Sequence, residues 1–390
     1  VSNELFDRSA DLKRLREEGY CVEKVGGFLL MRDVPYVGKD QKVRYGTLVS
    51  ELSESGNQTH KPTNHQVHFV GDSPCDASGK PLNINDRAAS IKLANGMVAT
   101  HSFSSKPSGG YTDYYEKMTT YANLLVGPAS VINPGVSAKS LRVPSADDDT
   151  VFKYTETASD RVGIGELTRK LENDVIAIVG LGGTGSYVLD GVAKTPVREI
   201  RLFDNDVFLQ HNAFRAPGAA SIEQLREVMP KVEYFTKMYS AMRNGIIPNA
   251  VALDSSNVGL LDGVTFAFLC MDAGEAKRAV VEKLEAMDAS FIDVGMGVEL
   301  IDGLLSGILR VTTSVPGERD HVRKGGVSFK GDDAEDLYAS NIQVADLNAL
   351  NAMLAVGKWK KIRSFYCDLK KEVYSSYTID TNKIANGFET

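Results

Sequence analysis

The stretch DVIAIVGLGGTGSYVLDGVAKTPVREIRLFDND, residues 174–206, decides the fold. VIAIVG is an uninterrupted apolar run, rich in β-branched residues and of the right length for a buried strand. Gly180, Gly182 and Gly185 follow at once in the spacing G-x-G-x-x-G, with Gly183 between them. Glycines so placed permit a tight turn, close backbone approach to a phosphate, and close packing of strand on helix. The next segment reads as a helix, whose first N–H groups and positive dipole end point at the same spot. EIRLFD then reads as a second strand ending at Asp204, 19 residues after Gly185, where a carboxylate can accept from ribose hydroxyls. Such a stretch opens a nucleotide-binding α/β fold, and by itself it fits a nicotinamide cofactor and ATP equally.

The residues beyond it separate the two. DNDVFLQHNAFRAPG, residues 204–218, places Asp206, Asn212 and Arg215 just after the second strand, on the sheet edge that carries the glycine turn. A cation there suits the leaving phosphates of ATP better than it suits a nicotinamide. AVALDSS, VTFAFLCMD and FIDVGMG are read as further strands, alternating with helices as in a parallel sheet covered on both faces. Asp302 and Gly303, between two apolar runs, predict a hairpin that adds antiparallel strands. Ile342, Leu347, Leu350 and Leu354 form a helical stripe, continued to Trp359, that is expected to pack on this sheet.

The chain has 390 residues, 43% hydrophobic and 24% charged, enough for two or three domains with full cores. A net charge of −7 argues against wholesale nucleic-acid binding, and no apolar run approaches the roughly 18 residues that span a bilayer. The first 20 residues are charged and lack the apolar core of a signal peptide. Cys21, Cys75, Cys270 and Cys367 are scattered and never form CxxC, which argues against a disulfide framework or zinc knuckle. The expected location is the cytoplasm.

Residues 1–132 read as a small α+β domain. GGFLLMRDV, RYGTLVSEL, HQVHFVGD and GMVATHSFS are its strand-like runs, and YTDYYEKMTTYANLLV is its helix. His60, His65 and His68, with Cys75 and His101 nearby, invite a metal reading, but strand alternation puts His65 and His68 on opposite faces. Residues 133–150, rich in Pro, Ser and Asp, read as a linker, and residues 151–390 as the nucleotide-binding domain.

GLGGTGS, then LFDNDVF, then HNAFR resembles the ThiF/MoeB family, which includes the ubiquitin-activating enzymes; the likeness covers about residues 160–366. The resemblance implies a Rossmann-like adenylation domain with a mixed, mostly parallel sheet, preceded here by the smaller α+β domain. It implies adenylation, with ATP and Mg²⁺, of the C-terminal carboxylate of a ubiquitin-like protein. Gly180, Gly182, Gly183, Gly185 and Ser186 would cradle the nucleotide, with Asp204 as the ribose-binding acid and Asp206 beside it. Asn212, Arg215 and Lys231 would act on the phosphates, and Asp272 would hold Mg²⁺. Ser221 and Gln224 resemble a capping box, and Pro230 can open the helix whose first turn carries Lys231. Arg161 matches an arginine that family dimers offer across their interface. The partners implied are a ubiquitin-like protein, a conjugating-enzyme-like protein and a second copy of the chain, with no nucleic acid and no membrane.

The sequence also departs from the family. It lacks the paired CxxC zinc motifs, and residues 310–340, where conjugating members carry a cysteine nucleophile, contain none. Either an acyl-adenylate is the product, or a hydroxyl accepts the acyl group: Ser314 or Ser328, with Thr312 and Thr313 in the same stretch and His321 as the nearby base. Cys367 is a further candidate acceptor, whereas Cys270 sits in an apolar run and is assigned to the core. The first domain resembles domains fused to ThiF-like proteins in bacterial ubiquitination-like operons associated with phage defence, implying a role in holding a partner. Two other readings stand beside adenylation: a catalytically inactive scaffold of this fold, and an NAD-dependent oxidoreductase.

Overall fold

The computed structural model describes residues 5–6, 8–141, 150–154, 156, 159, 164–329 and 342–387, and the chain divides into two compact units between Ser145 and Ala146.

The first unit is built on an antiparallel sheet. Helix α1 (Ala10–Glu17) precedes β1 (Cys21–Val25), β2 (Phe28–Val37) and β3 (Val43–Glu51). A short hairpin, β4 (Glu54–Ser55) and β5 (Gln58–Thr59), leads to β6 (Gln66–Val70), β7 (Arg87–Lys92) and β8 (Val98–Ser104). The strand order is β1-β2-β3-β6-β8-β7. Helix α2 (Tyr114–Ile132) starts at Asp113, whose side chain accepts from the Glu116 N–H at 2.7 Å. Its buried stripe, Tyr114, Met118, Tyr121 and Leu125, joins Leu29, Met31, Leu48 and Phe69 of the sheet in one core. The helix runs through Pro128 to Ile132, beyond the segment that the apolar spacing marks.

In the second unit, β9 (Val175–Val179), β10 (Glu199–Phe203), β11 (Ile246–Asn249), β12 (Phe266–Leu269) and β13 (Ser290–Ile301) are parallel. Strands β14 (Leu304–Ser314), β15 (Tyr374–Thr378) and β16 (Lys383–Asn386) extend the sheet antiparallel. The order is β11-β10-β9-β12-β13-β14-β15-β16, so the chain steps outward from β9 in one direction and then in the other. That reversal opens a crevice at the carboxyl ends of β9 and β12, the usual ligand position in doubly wound sheets. Alternation along β9 supplies both cores: Ile176 and Ile178 face one cluster, and Val175, Ala177 and Val179 the other.

The intervening helices are α3 (Gly165–Arg169), α4 (Gly183–Ala193), α5 (Gln210–Ala213), α6 (Ile222–Arg226), α7 (Lys231–Tyr239), α8 (Glu275–Ala286) and α9 (Ala345–Ile362). The hairpin turns at Asp302, whose φ is +49°, and Gly303, with φ of +81°, as the Asp-Gly pair predicts. Two expectations need correction. The strand expected at AVALDSS lies earlier, at Ile246–Asn249; it is the outer strand beyond β10, and Pro248 is tolerated there because an edge leaves one row of N–H groups unused. In α9 the buried face is Leu347, Asn348, Asn351, Ala352, Ala355, Val356 and Trp359, whereas Leu350 is exposed and Ile342 precedes the helix. The register is set at the far end, where Asp174 accepts from the Trp359 indole N–H at 3.0 Å and the Arg363 guanidinium at 2.8 Å. Among the described residues, no helix is long and apolar enough to cross a membrane.

Candidate functional site

The glycine turn follows β9 directly. Gly180 has φ of +89°, the left-handed region, and a Cβ there would lie 2.6 Å from the Cys270 carbonyl oxygen. At Gly185 a Cβ would collide with the Gly180 carbonyl, so this glycine lets α4 start tight against the turn. Gly183 is different: its missing side chain makes room for the amide of Asn348 on α9. Only at Gly182, among these four, would a Cβ meet nothing within 4 Å. Ser186 is fully buried and its hydroxyl donates to the Gly183 carbonyl at 2.8 Å, so that side chain serves the helix rather than the crevice.

Asp204 ends β10 and ties two loops together. Its carboxylate accepts from the Leu181 N–H at 2.6 Å and from the Asp206 N–H at 2.9 Å. Lys231, the first residue of α7, is buried at 6% exposure. Its ammonium donates to the Asp206 carboxylate at 2.6 Å and lies 3.6 Å from Asp204. Ser221 and Gln224 form the expected reciprocal cap, with bonds of 3.2 and 2.8 Å, and position α6 in the connection that precedes α7. Asn212 is buried in α5, accepting from the Leu209 N–H at 2.9 Å, and its carbonyl accepts from the Arg215 N–H at 3.1 Å. The Arg215 Nε is buried with no hydrogen-bond partner among the described residues. Asp272 is exposed, three residues beyond β12, and its carboxylate has no partner among the described residues.

This crevice fits a polyphosphate on two observations: an unmet buried guanidinium donor, and open space over Gly182. The free carboxylate of Asp272 suits a hard divalent cation. Lys231, engaged by Asp206, keeps ammonium protons beyond the one used there.

The candidate acyl acceptors separate sharply. Val179, Leu269 and Asp293 are level across the parallel strands, Thr312 pairs with Asp293, and Ser314 pairs with Phe291, two residues away from the carboxyl edge. Ser314 therefore lies below the carboxyl edge; it is also fully buried, so the acceptor role expected for it is corrected. Thr312 and Thr313 are buried as well, and His321 hydrogen-bonds the Thr313 carbonyl at 2.6 Å. Cys367 is exposed, but it lines a cleft of about 830 Å³ with Thr313, Lys361 and Val373 where α9 ends. Asn348, by the glycine helix, and Trp359, by Asp174, stand roughly 16 Å apart at about 1.5 Å per helical residue. Cys367 lies beyond Trp359, at the end of α9 opposite Asn348.

Ser328 takes the opposite course. Arg319 hydrogen-bonds the Glu285 carbonyl at the carboxyl end of α8, whereas the Arg278 guanidinium, near the start of α8, sits 5.0 Å over the Phe329 ring. The segment between them climbs toward the carboxyl edge, and Ser328 is exposed near its top. Cys270 lies beside the crevice, but loss of solvent, and next the Asp293 charge, push its thiol up to about 12. It is a packed thiol, not a thiolate nucleophile. Arg161 lies outside the described residues. In the first unit, His65 bonds Ser104 at 3.0 Å, His101 pairs with Asp86 at 2.9 Å, and His68 is buried.

Sequence reasoning missed two features. Asn348 and Asn351, both fully buried, face the glycine helix and β13; two polar residues three apart on an otherwise apolar stripe are the signal. Beneath the crevice, Asp293 is fully buried between Lys277 and Arg310, each 2.7 Å away, and Arg310 also bonds the Gly326 carbonyl. No local motif marks that network, because its three charges come from separate elements.

Residues 157–309 match the ThiF family, and residues 10–157 match a domain of unknown function, DUF6791. The chain is 25% identical over 166 residues to ubiquitin-like modifier-activating enzyme 5 of Xenopus laevis, covering 37% of this chain and 40% of that protein. It is 24% identical over 178 residues to the Arabidopsis thaliana enzyme of that name, covering 41% and 39%. The chain thus spans about two fifths of the length of the curated relatives it matches. Among solved structures, E. coli MccB with ATP is 19% identical with a TM-score of 0.46, covering 58% of this chain and 67% of that one. PaaA is 16% identical with a TM-score of 0.46, covering 57% and 75%. The chain carries a ThiF-family domain, preceded by a DUF6791 domain.

Proposed function

We propose that this protein adenylates the C-terminal carboxylate of a ubiquitin-like protein, using ATP. The observation that carries the reading is the convergence of Arg215, Lys231, Asp204 and Asp206 on the edge that holds the glycine turn. In the proposed reaction a carboxylate oxygen attacks the α-phosphorus, the bond to the β-phosphate breaks, and pyrophosphate leaves with its charge. The protein's part is positioning and neutralisation of that charge. Arg215 and Lys231 supply cations, Asn212 fixes the loop that carries Arg215, and Asp204 orients the ribose side. Asp272 would hold Mg²⁺, which when bound would neutralise phosphate charge. The similarity to ubiquitin-like modifier-activating enzyme 5 supports a ubiquitin-like substrate.

The acyl group then passes, with release of AMP, to a conjugating-enzyme-like protein or to Ser328 as an ester; a serine is a weak nucleophile without an activating base, which favours direct transfer. The setting proposed is a cytoplasmic, bacterial ubiquitination-like pathway serving phage defence, with the protein acting as a homodimer. Residues 1–132 would hold a protein partner and residues 133–150 would link them to the adenylation domain at 151–390. Exchange of labelled pyrophosphate into ATP tests the reading. Exchange dependent on a ubiquitin-like protein with a free C-terminus supports it. Binding of NAD in preference to ATP would revive the oxidoreductase, and ATP binding with no exchange would favour the scaffold.

A further inference from the structure

We infer that Asn348 of α9 is a positioning residue that sets Arg215 against the glycine turn. Asn348 lies outside the stretch that matches the ThiF family, yet it is fully buried against α4 of that stretch. Its Oδ1 accepts from the Thr184 hydroxyl at 3.2 Å, and its Nδ2 donates to the Arg215 carbonyl at 3.4 Å. One amide therefore joins the second residue of α4 to the backbone of the arginine. Only an amide can accept on one side and donate on the other at this size; a carboxylate or an alkyl group cannot. Gly183 is shaped for the same contact, since any side chain there would collide with the Asn348 amide.

The tie matters because the Arg215 backbone is lightly held. Its N–H reaches the Asn212 carbonyl at 3.1 Å, but the chain beyond leaves helical structure at once, and the neighbouring Phe214 is 78% exposed. The guanidinium, with its unmet Nε, depends on where that backbone is fixed. Asn348 thereby couples the last long helix to discrimination between a nucleoside triphosphate and a nucleoside. The inference rests on the reading of Arg215 as a phosphate contact.

The test uses the full chain with Asn348→Asp, Thr184→Val and, as the conservative control, Thr184→Ser. Amide hydrogen exchange of residues 212–217 is measured without nucleotide, and affinities for ATP and adenosine are compared. Asn348→Asp and Thr184→Val are expected to speed exchange at 212–217 by about tenfold while β9 and β12 keep their protection, and to weaken ATP about tenfold with adenosine unchanged. Thr184→Ser should restore both. Unchanged exchange, or equal losses for ATP and adenosine, overturns the inference. Should Asn348→Asp fail to fold, Thr184→Val decides. If the unmodified protein binds neither ligand, the nucleotide reading fails, and the exchange data alone decide the tie.

Discussion

The ammonium of Lys231 lies 2.6 Å from a carboxylate oxygen of Asp206 and 3.6 Å from one of Asp204. Pro230 caps α7, so this lysine is delivered to the crevice by the helix start, and the acids at the end of β10 hold it there. A cation held in advance costs little reorganisation when negative charge develops. Lys231→Met is expected to lower the rate of pyrophosphate exchange by about 10²–10³, the usual scale for one lost stabilising donor. Circular dichroism should show the fold retained. Undiminished exchange in that variant would remove Lys231 from the proposed chemistry.

Asp272 is exposed and unpaired among the described residues, so its removal should leave the fold alone. Asp272→Ala is predicted to keep the melting temperature within about 2 °C, because substitutions at such surface positions change stability by about 0.5 kcal/mol or less. It should also abolish the dependence of exchange on Mg²⁺. A magnesium titration unchanged by the substitution contradicts the role given to this carboxylate.

Most of the sheet and the glycine turn are legible in the sequence because they are local. Apolar runs mark β9, β10 and β12, the glycine spacing marks the turn, and Asp302-Gly303 marks the hairpin. What is not legible depends on pairing across the chain. Strand β11 is short, contains Pro248 and is only half-buried, so its apolar signal is weaker than that of AVALDSS beside it. The buried face of α9 carries Asn348 and Asn351, which an apolar stripe cannot anticipate. The fate of Ser314 and Ser328, fourteen residues apart, follows from the register of β14 on β13 and from the climb of the chain beside α8.

The Asp293 carboxylate, flanked by Lys277 and Arg310, is fully buried, and Lys277 is nearly so. Asp293→Asn would leave both cations without their counter-charge. The predicted cost is about 3–5 kcal/mol, the range for breaking a buried ion pair from one side. Chemical denaturation of the full chain, followed by a probe in the second unit, measures it. A loss below about 1 kcal/mol would mean that the neighbouring hydroxyl and carbonyl acceptors suffice.

Among the described residues Lys117 in the first unit has no carboxylate within ion-pair distance; its ammonium donates to Ser50 Oγ at 2.8 Å and to the Asn64 carbonyl at 2.7 Å. Burial lowers it from 10.5 to about 8, with the Glu51 charge opposing that shift. Between those two values the unfolded chain holds a proton that the folded chain has released, so stability rises with pH across that window. Below it, the destabilising contribution is present in full, on the order of 3 kcal/mol. Hydrogen exchange along α2 at stepped pH should show this rise in the unmodified protein and none in Lys117→Met. A flat profile in the unmodified protein contradicts the assignment.

Cys367 lines a cleft at the C-terminal end of α9 and Ser314 is buried below the carboxyl edge, whereas Ser328 is exposed near that edge. Cys367→Ser and Ser314→Ala are therefore predicted to leave adenylate formation and transfer within about twofold of the unmodified rate, as expected of residues outside the reacting centre. Ser328→Ala is predicted to leave adenylate formation intact and to remove any base-labile, thiol-resistant adduct. A thiol-labile adduct that vanishes in Cys367→Ser would reverse this ordering.

Intact-mass spectrometry puts the adenylation reading most directly at risk. The protein is incubated with Mg-ATP and candidate ubiquitin-like proteins encoded beside its gene, with Asp272→Ala in parallel. The predicted result is a ubiquitin-like protein heavier by one adenylate, absent with Asp272→Ala. ATP bound, but no adenylate on any candidate, would contradict adenylation and leave a nucleotide-binding scaffold.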